Sequence, residues 1–466
     1  MSENRNQMFI RLVMAVFAVH IFLGMWFVER GLINADEGWY LYAARQIAAG
    51  SIPYLDFGLF QPPVYPTALA GMVDSGPGAL LAARWISWFG LAAGTGATVL
   101  AAVRLVGVGG GLIAAVGLAL HPVVLNHGVL AKPYGLTVLL LGTGLLLMTS
   151  ERHRAWRTAI GFFLMALAVG TRLSLLAPVL ILWIWQPARG VAGLGLACGI
   201  GLAFHRAVGV DPNSIVDQWL GFHLGDGGSL RARLGWSIHV LTVWLVAAVA
   251  WVPGPRSNRL PGLLPASCAA VAVHALPAAL HVEHLVAVSP LLLLATADRW
   301  GREILRPRVA ALGLSIAAFG TWMARPFVHL DSTVASVRQT MELGAWVAKH
   351  TPSSKPLLTV QLAVAVEADR SVLSGLEMAR FGWSPDLTVD EARNSHRMSA
   401  ARLVSELQRP IGGVIVADGD FDAERRALIE EAARQHFGRQ RTVSAYGQFA
   451  ETVNLYVPDG GTLWMR

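Results

Sequence analysis

Apolar stretches that approach the ~30 Å of a bilayer's hydrocarbon recur from residue 12 to about residue 324, and nothing else restricts the fold as strongly. They run over 11–28, 84–103, 107–121, 134–149, 158–170, 173–186, 190–208, 235–252, 262–280, 284–298 and 309–324. The shorter ones read as half-spans or tilted pieces. Charged residues make up 14% of the 466 positions, against roughly 25% in ordinary soluble domains. That is too few to solvate the surface of a water-soluble chain of this length. The expected fold class is a polytopic all-α membrane domain of about eleven helices over 1–324, followed by a small α/β extracytoplasmic domain over 325–466.

Loop charge orients the spans. With a cytoplasmic N-terminus, the inner connections hold Arg5, Arg11, Arg104, Arg152, Arg154, Arg157, Arg189, Arg256, Arg259, Arg299, Arg302, Arg306 and Arg308. The short outer connections hold only Lys132, Arg172, Arg206, Arg231 and Arg233. Positive charge gathers on the inner side, and an odd number of spans then leaves the C-terminal segment outside. A cleaved signal peptide fits poorly, because the Ile33-Asn34-Ala35 site lies well beyond the first apolar run.

The net charge of +7 does not mark a nucleic-acid binder: residues 325–466 carry 16 basic and 17 acidic side chains, so the excess belongs to the apolar part. Cys198 and Cys268 sit inside apolar runs, which excludes a disulfide framework and a cysteine metal site. In 325–466 an amphipathic STVASVRQTMELGAWVAKH precedes strand-like PLLTVQ. IGGVIVAD, a charged helix FDAERRALIEEAARQHF, and the strand candidates RTVSAYG and TVNLYVP follow. The alternation predicts a small α/β domain, without a nucleophile elbow or a phosphate loop.

The loop over about 29–83 carries the chemical signal. Asp36 and Glu37 open a helix in which Trp39, Ala43 and Ile47 share a face, and the helix stops at Gly50. Carboxylates at a helix start are favoured by its dipole, so capping is one reading of the pair. Pro62, Pro63 and Pro66 hold the following stretch away from helix. Six aromatics (Trp39, Tyr40, Tyr42, Tyr54, Phe57, Phe60) suit a helix lying in the membrane interface.

The Asp-Glu pair just outside the first span, then Y-x-x-A-x-x-I-x-x-G, P-Y-x-D and Q-P-P-x-Y-P, resembles bacterial GT-C superfamily glycosyltransferases. The resemblance is to family-39-like and aminoarabinose-transferase-like members, kin to the protein O-mannosyltransferases. Its specific motif covers roughly 34–66, and HVEHLVAVSPLLLLATA fits the family's penultimate membrane region more loosely. It implies an enzyme of the bacterial inner membrane that takes a sugar from a polyprenyl phosphate on the outer face. The acceptor would be an envelope glycan, lipid or protein, as in lipopolysaccharide or polysaccharide biosynthesis. It also implies that an acidic residue of this loop, Asp36, is the catalytic base or a metal ligand, with Glu37 orienting substrate, sharing a divalent metal or capping the helix. No other cofactor is expected.

Further candidates surround these two. Asp56, Gln61 and Tyr65 are polar groups of the same loop. Lys132, Tyr134 and Arg172 lie at outer ends of spans, where cations run against the usual charge bias and could hold a lipid phosphate. His281, Glu283 and His284 form an H-x-E-H cluster at another outer end, without the H-E-x-x-H pattern of zinc proteases. His121 and His127 read as packing residues, and the glycines of 107–111 as a helix contact. A sugar-lipid transporter or flippase is the competing reading; it would be built on repeats and broken helices.

Overall fold

A computed structural model describes residues 3–31, 33–149, 155–210, 215, 218, 240–244, 260, 262–275, 281–304, 306–324, 337–447 and 450–458. The chain divides into two compact units. A helical unit comprises Met1–Val28, Trp85–Gly209 and His223–His329, and a mixed unit Glu29–Arg84, Val210–Phe222 and Leu330–Arg466. The first loop and the C-terminal segment thus belong to one body, which their separation in sequence does not announce.

The helices are α1 (Glu3–Arg30), α2 (Ala35–Ala48), α3 (Val64–Ala70), α4 (Ala79–Val106), α5 (Val108–Ala119), α6 (Pro122–Gly128), α7 (Tyr134–Met148), α8 (Ala155–Val169), α9 (Leu176–Ile184) and α10 (Pro187–Val208). They continue with α11 (Leu263–Ala275), α12 (His284–Trp300) and α13 (Pro307–Met323). The predicted apolar segments are helical wherever they are described; 235–252 lies largely outside the described residues. Among the described residues, two helices are long and apolar enough to cross a membrane, within α1 and α4, or three spans if the bent pair α5–α6 counts as one. Apolar side chains such as Phe22 (71% exposed) and Leu314 (64%) stand outward on α1 and α13.

Small residues set the packing of the helical unit. Gly90 and Gly94 of α4 face Gly135, Val138 and Gly142 of α7 so closely that a Cβ at Gly94 or Gly135 would strike backbone. Gly109 likewise abuts the Gly301 carbonyl, so the 107–111 glycines do serve a close helix contact. Helix α12 is buried along nearly its whole length. Pro290 cannot donate to the Val286 carbonyl, and the Ser289 hydroxyl donates to it instead at 2.7 Å. Between α5 and α6 the chain bends by 57°, with Pro122 in the first turn of α6. At that bend His121 stacks on Trp244, ring centroids 4.3 Å apart.

In the mixed unit, α14 (Val337–His350) leads into β1 (Leu357–Thr359). Short helices α15 (Leu362–Glu367), α16 (Val389–Asn394) and α17 (Ala400–Leu407) precede β2 (Gly413–Ala417). Then come α18 (Ala423–His436), β3 (Arg439–Tyr446) and β4 (Glu451–Val457). The sheet order is β1-β2-β4-β3. β1 and β2 run parallel (Leu358 opposite Val414), and β4 is antiparallel to both its neighbours (Ile415 opposite Leu455, Thr442 opposite Asn454). All five residues of β2 are buried, as its unbroken apolar run predicts.

Asp420, just beyond β2, is buried and accepts N–H bonds from Ala417 and the Gln361 side chain, each 2.7 Å. Burial first, with the Glu451 charge adding to it, pushes its carboxyl up to about 7 despite those bonds. Because the folded value lies above the unfolded 3.8, the stability it contributes is complete below about pH 4 and is lost as pH rises through 7. Thermal melts from pH 5 to 8 should fall for the wild type and be flatter for Asp420→Asn. Parallel curves would show that Asp420 does not titrate in this window.

Candidate active site

The first predicted cluster lies in the mixed unit, at the start of α2. Asn34 caps the helix, its Oδ1 accepting from the Asp36 N–H at 3.0 Å. Glu37 returns the contact, its Oε2 accepting from the Asn34 N–H at 2.9 Å, which completes a capping box. Arg84, in the second turn of α4, then donates through Nε to Glu37 Oε1 (2.7 Å) and through Nη2 to Oε2 (2.6 Å), while Nη1 reaches the Gly31 carbonyl at 3.0 Å. Both side chains of this pair are fully buried. Both oxygens of Glu37 are therefore engaged. The neighbouring Asp36 is half-buried at the head of the helix.

The helix ends as predicted, with Gly50 at φ +90°. The interfacial reading of the loop does not hold. Trp39, Tyr40, Tyr42, Tyr54, Phe57 and Phe60 are each 5% exposed or less, inside the unit. The reason is the C-terminal segment, which covers α2. Gly38 packs against the backbone of Leu362 and Ala363 so tightly that a Cβ would overlap it. The Tyr42 hydroxyl accepts from the Val372 N–H at 3.0 Å, and burial pushes that phenol up to about 12. Arg45 pairs with Asp369 at 3.1 Å. Glu367, wholly buried, caps the first turn of α4 by accepting from the Gly78 and Leu80 N–H groups, both 2.7 Å.

The other loop candidates are tied to the loop's own structure. Asp56 closes the turn after α2 by accepting from the Ile52 N–H at 2.7 Å. Gln61 accepts from the Tyr54 hydroxyl through its backbone carbonyl at 2.6 Å. Tyr65 is buried, edge-on to Tyr40 at 5.2 Å between ring centroids.

The second cluster lies in the helical unit. Lys132 and Arg172 stand over the buried ring of Tyr134, at 5.4 and 5.1 Å from its centroid. Lys132 is itself buried, with Glu283 Oε1 3.9 Å from its Nζ. His281 and His284 lie edge to face at 5.1 Å, and His274 is 5.8 Å from His284. Ser174 Oγ sits 2.8 Å from His274 Nε2. All six candidates placed on these helices, Lys132, Tyr134, Arg172, His281, Glu283 and His284, thus fall into one polar cluster. Two cations around one aromatic ring concentrate positive charge that can hold an anion.

Asn34, Arg84, Glu367, Ser174 and His274 were not singled out from sequence. Arg84 had a signal: an arginine at the head of an apolar span demands a partner. Glu367 had none. Among the described residues no three His, Cys, Asp or Glu side chains gather as metal ligands. With Glu37 committed to Arg84 and Asn34, the acidic pair does not fit a two-carboxylate metal site.

No protein-family model matches the sequence, and no curated protein matches it by sequence. The fold does have counterparts. The crystal structure of ArnT from Cupriavidus metallidurans bound to undecaprenyl phosphate superposes with a TM-score of 0.61 at 12% identity, over 98% of this chain and 98% of that one. The apo form of the same protein gives 0.61 at 13% identity, over 95% and 97%. The chain therefore has the fold of ArnT along nearly its whole length.

Proposed function

We propose that the protein is an integral-membrane glycosyltransferase that moves a sugar from a polyprenyl-phosphate donor to an acceptor of the cell envelope, with inversion at the anomeric carbon. The observation that carries the reading is the pair Lys132 and Arg172 over Tyr134, in a chain whose fold matches ArnT bound to undecaprenyl phosphate along 98% of its length. Lys132 and Arg172 hold the donor's phosphate. His281, Glu283 and His284 line the same polar patch and contact donor or acceptor. Asp36 accepts the proton of the acceptor hydroxyl as its oxygen bonds to the anomeric carbon. The bond from that carbon to the phosphate oxygen breaks, and polyprenyl phosphate leaves with the electron pair. Glu37 is a positioning residue. Asp56, Gln61 and Tyr65 shape the loop that presents the acceptor.

The chain then consists of about eleven membrane helices over 1–324 and an extracytoplasmic domain over 325–466 in the bacterial inner membrane. Reporter fusions after Arg157 and after Pro352 should report opposite sides, and the same side for both would overturn this orientation.

The direct test is release of polyprenyl phosphate from a polyprenyl-phosphate-sugar by the protein in proteoliposomes. Lys132→Ala and Arg172→Ala should each lower turnover at subsaturating donor by about tenfold or more, since a hydrogen bond to a charged group contributes ~1.5–3 kcal/mol. Activity within about twofold of wild type for both would return these cations to the lipid headgroups. The 57° break between α5 and α6 favours a second reading, a sugar-lipid transporter or flippase. Movement of labelled donor across the bilayer without release of polyprenyl phosphate would establish it.

A further inference from the structure

Most arginines in the core of the mixed unit have several carbonyl partners or carboxylates close by. Arg84 has Glu37 and the Gly31 carbonyl. Arg370 donates to the Thr351 hydroxyl and to the Ala348, Thr351, Ala368 and Asp369 carbonyls. Arg402 also has a buried Nε without a partner, but it donates to the Arg397 carbonyl at 2.8 Å and lies in the field of Glu406 and Glu377. Arg397 differs. Its guanidinium stands over the Phe60 ring at 5.1 Å from the centroid, one residue before Gln61 in the acidic loop. Its Nη1 makes one long bond, 3.3 Å, to Ser384 Oγ. Its Nε is buried without a partner, and no carboxylate lies within ion-pair distance of it among the described residues.

The group is also held still. The Arg397 N–H donates to the Ala392 carbonyl at 2.7 Å, and the next residue, Met398, exchanges backbone bonds with Gly382 and Ser384, both 2.9 Å. On the other side His396, at φ +53°, packs against Gly58, where a Cβ would lie 3.2 Å from the histidine's own Cβ. A half-buried guanidinium on a fixed backbone, stacked on an aromatic ring and lacking an acid, is arranged to receive an anion from outside.

We propose that Arg397 is an anion-binding residue for the acceptor, taking a phosphate or carboxylate oxygen of an anionic envelope glycan or lipid beside Phe60. This assignment of acceptor class rests on the glycosyltransferase reading; the anion site does not. Inorganic phosphate is the first probe, used on the full-length protein in detergent. Phosphate should slow modification of Arg397 by phenylglyoxal at least threefold, read by peptide mass spectrometry. It should still do so with Lys132→Ala and Arg172→Ala in place. Protection lost in that double variant would assign the phosphate to the donor site, and no protection in either protein would overturn the anion site.

Turnover then tests the acceptor role. With a phosphorylated disaccharide acceptor, Arg397→Gln should raise KM at least tenfold, with kcat and the KM for the dephosphorylated acceptor unchanged, and Arg397→Lys should recover part of the loss. An equal loss with both acceptors would make Arg397 a packing residue. Protection by phosphate without turnover of any acceptor would leave the anion site standing and remove the glycosyltransferase reading instead.

Discussion

Asp36→Asn should lower glycosyl transfer at least a hundredfold while leaving folding and membrane insertion intact. An acceptor hydroxyl has a pKa far above 7, so bond formation at the anomeric carbon needs a base placed on its proton, a contribution of typically ~10²–10⁴-fold. Asparagine keeps the size and most of the hydrogen bonding and removes only the basicity and the charge. The cap itself does not depend on that carboxylate: Asn34 Oδ1 binds the Asp36 backbone N–H, and Glu37 closes the box. Folding can therefore be checked separately, by melting temperature and by reporter topology. Near-full transfer by Asp36→Asn together with an inactive Glu37→Gln would exchange the two roles. Full activity of both variants would remove this loop from the chemistry.

Arg84→Met should destabilise the protein by about 3–5 kcal/mol, the usual result of stripping one partner from a buried ion pair. The physical cause is that Glu37, with no exposure, would lose both guanidinium hydrogen bonds that balance its charge. Glu37→Leu combined with Arg84→Met should recover much of the loss, because apolar side chains in place of both charges leave no orphan. Activity should not recover with it if Glu37 holds Asp36 in place through the capping box. Denaturant melts read the first quantity and polyprenyl phosphate release the second. A single variant melting with the wild type would deny the pair its structural role, and an active, stable double variant would deny its positioning role.

Local patterns were readable because they depend on local physics. The start of α2 at the Asp-Glu pair, its stop near Gly50, and the strand runs PLLTVQ, IGGVIVAD, RTVSAYG and TVNLYVP all come from capping, φ preference and hydrophobic period, which act within a few residues. The polar cluster on the helical unit was readable for a similar reason. Cations at outer span ends are costly, so Lys132 and Arg172 stood out before the structure set both over Tyr134. Helix count was less legible. Apolar runs mark helices, but among the described residues only α1 and α4 show by length that they can cross a bilayer.

The aromatics of the first loop mark the limit. Their composition fits a membrane interface and a protein interior equally well, since burial of apolar area is non-directional and does not say what covers it. What covers them is the segment beginning near residue 357, which brings Leu362, Ala363 and Val372 onto α2 and Glu367 onto the head of α4. Those partners lie roughly 300 residues away in sequence, where neither propensity nor spacing carries information. By itself the sequence determined an apolar helical chain, a mixed C-terminal segment and an acidic loop between the first two apolar runs. Only the tertiary structure decided that Glu37 is consumed by Arg84, because the two oxygens of one carboxylate can be claimed only by a guanidinium that the fold brings to them.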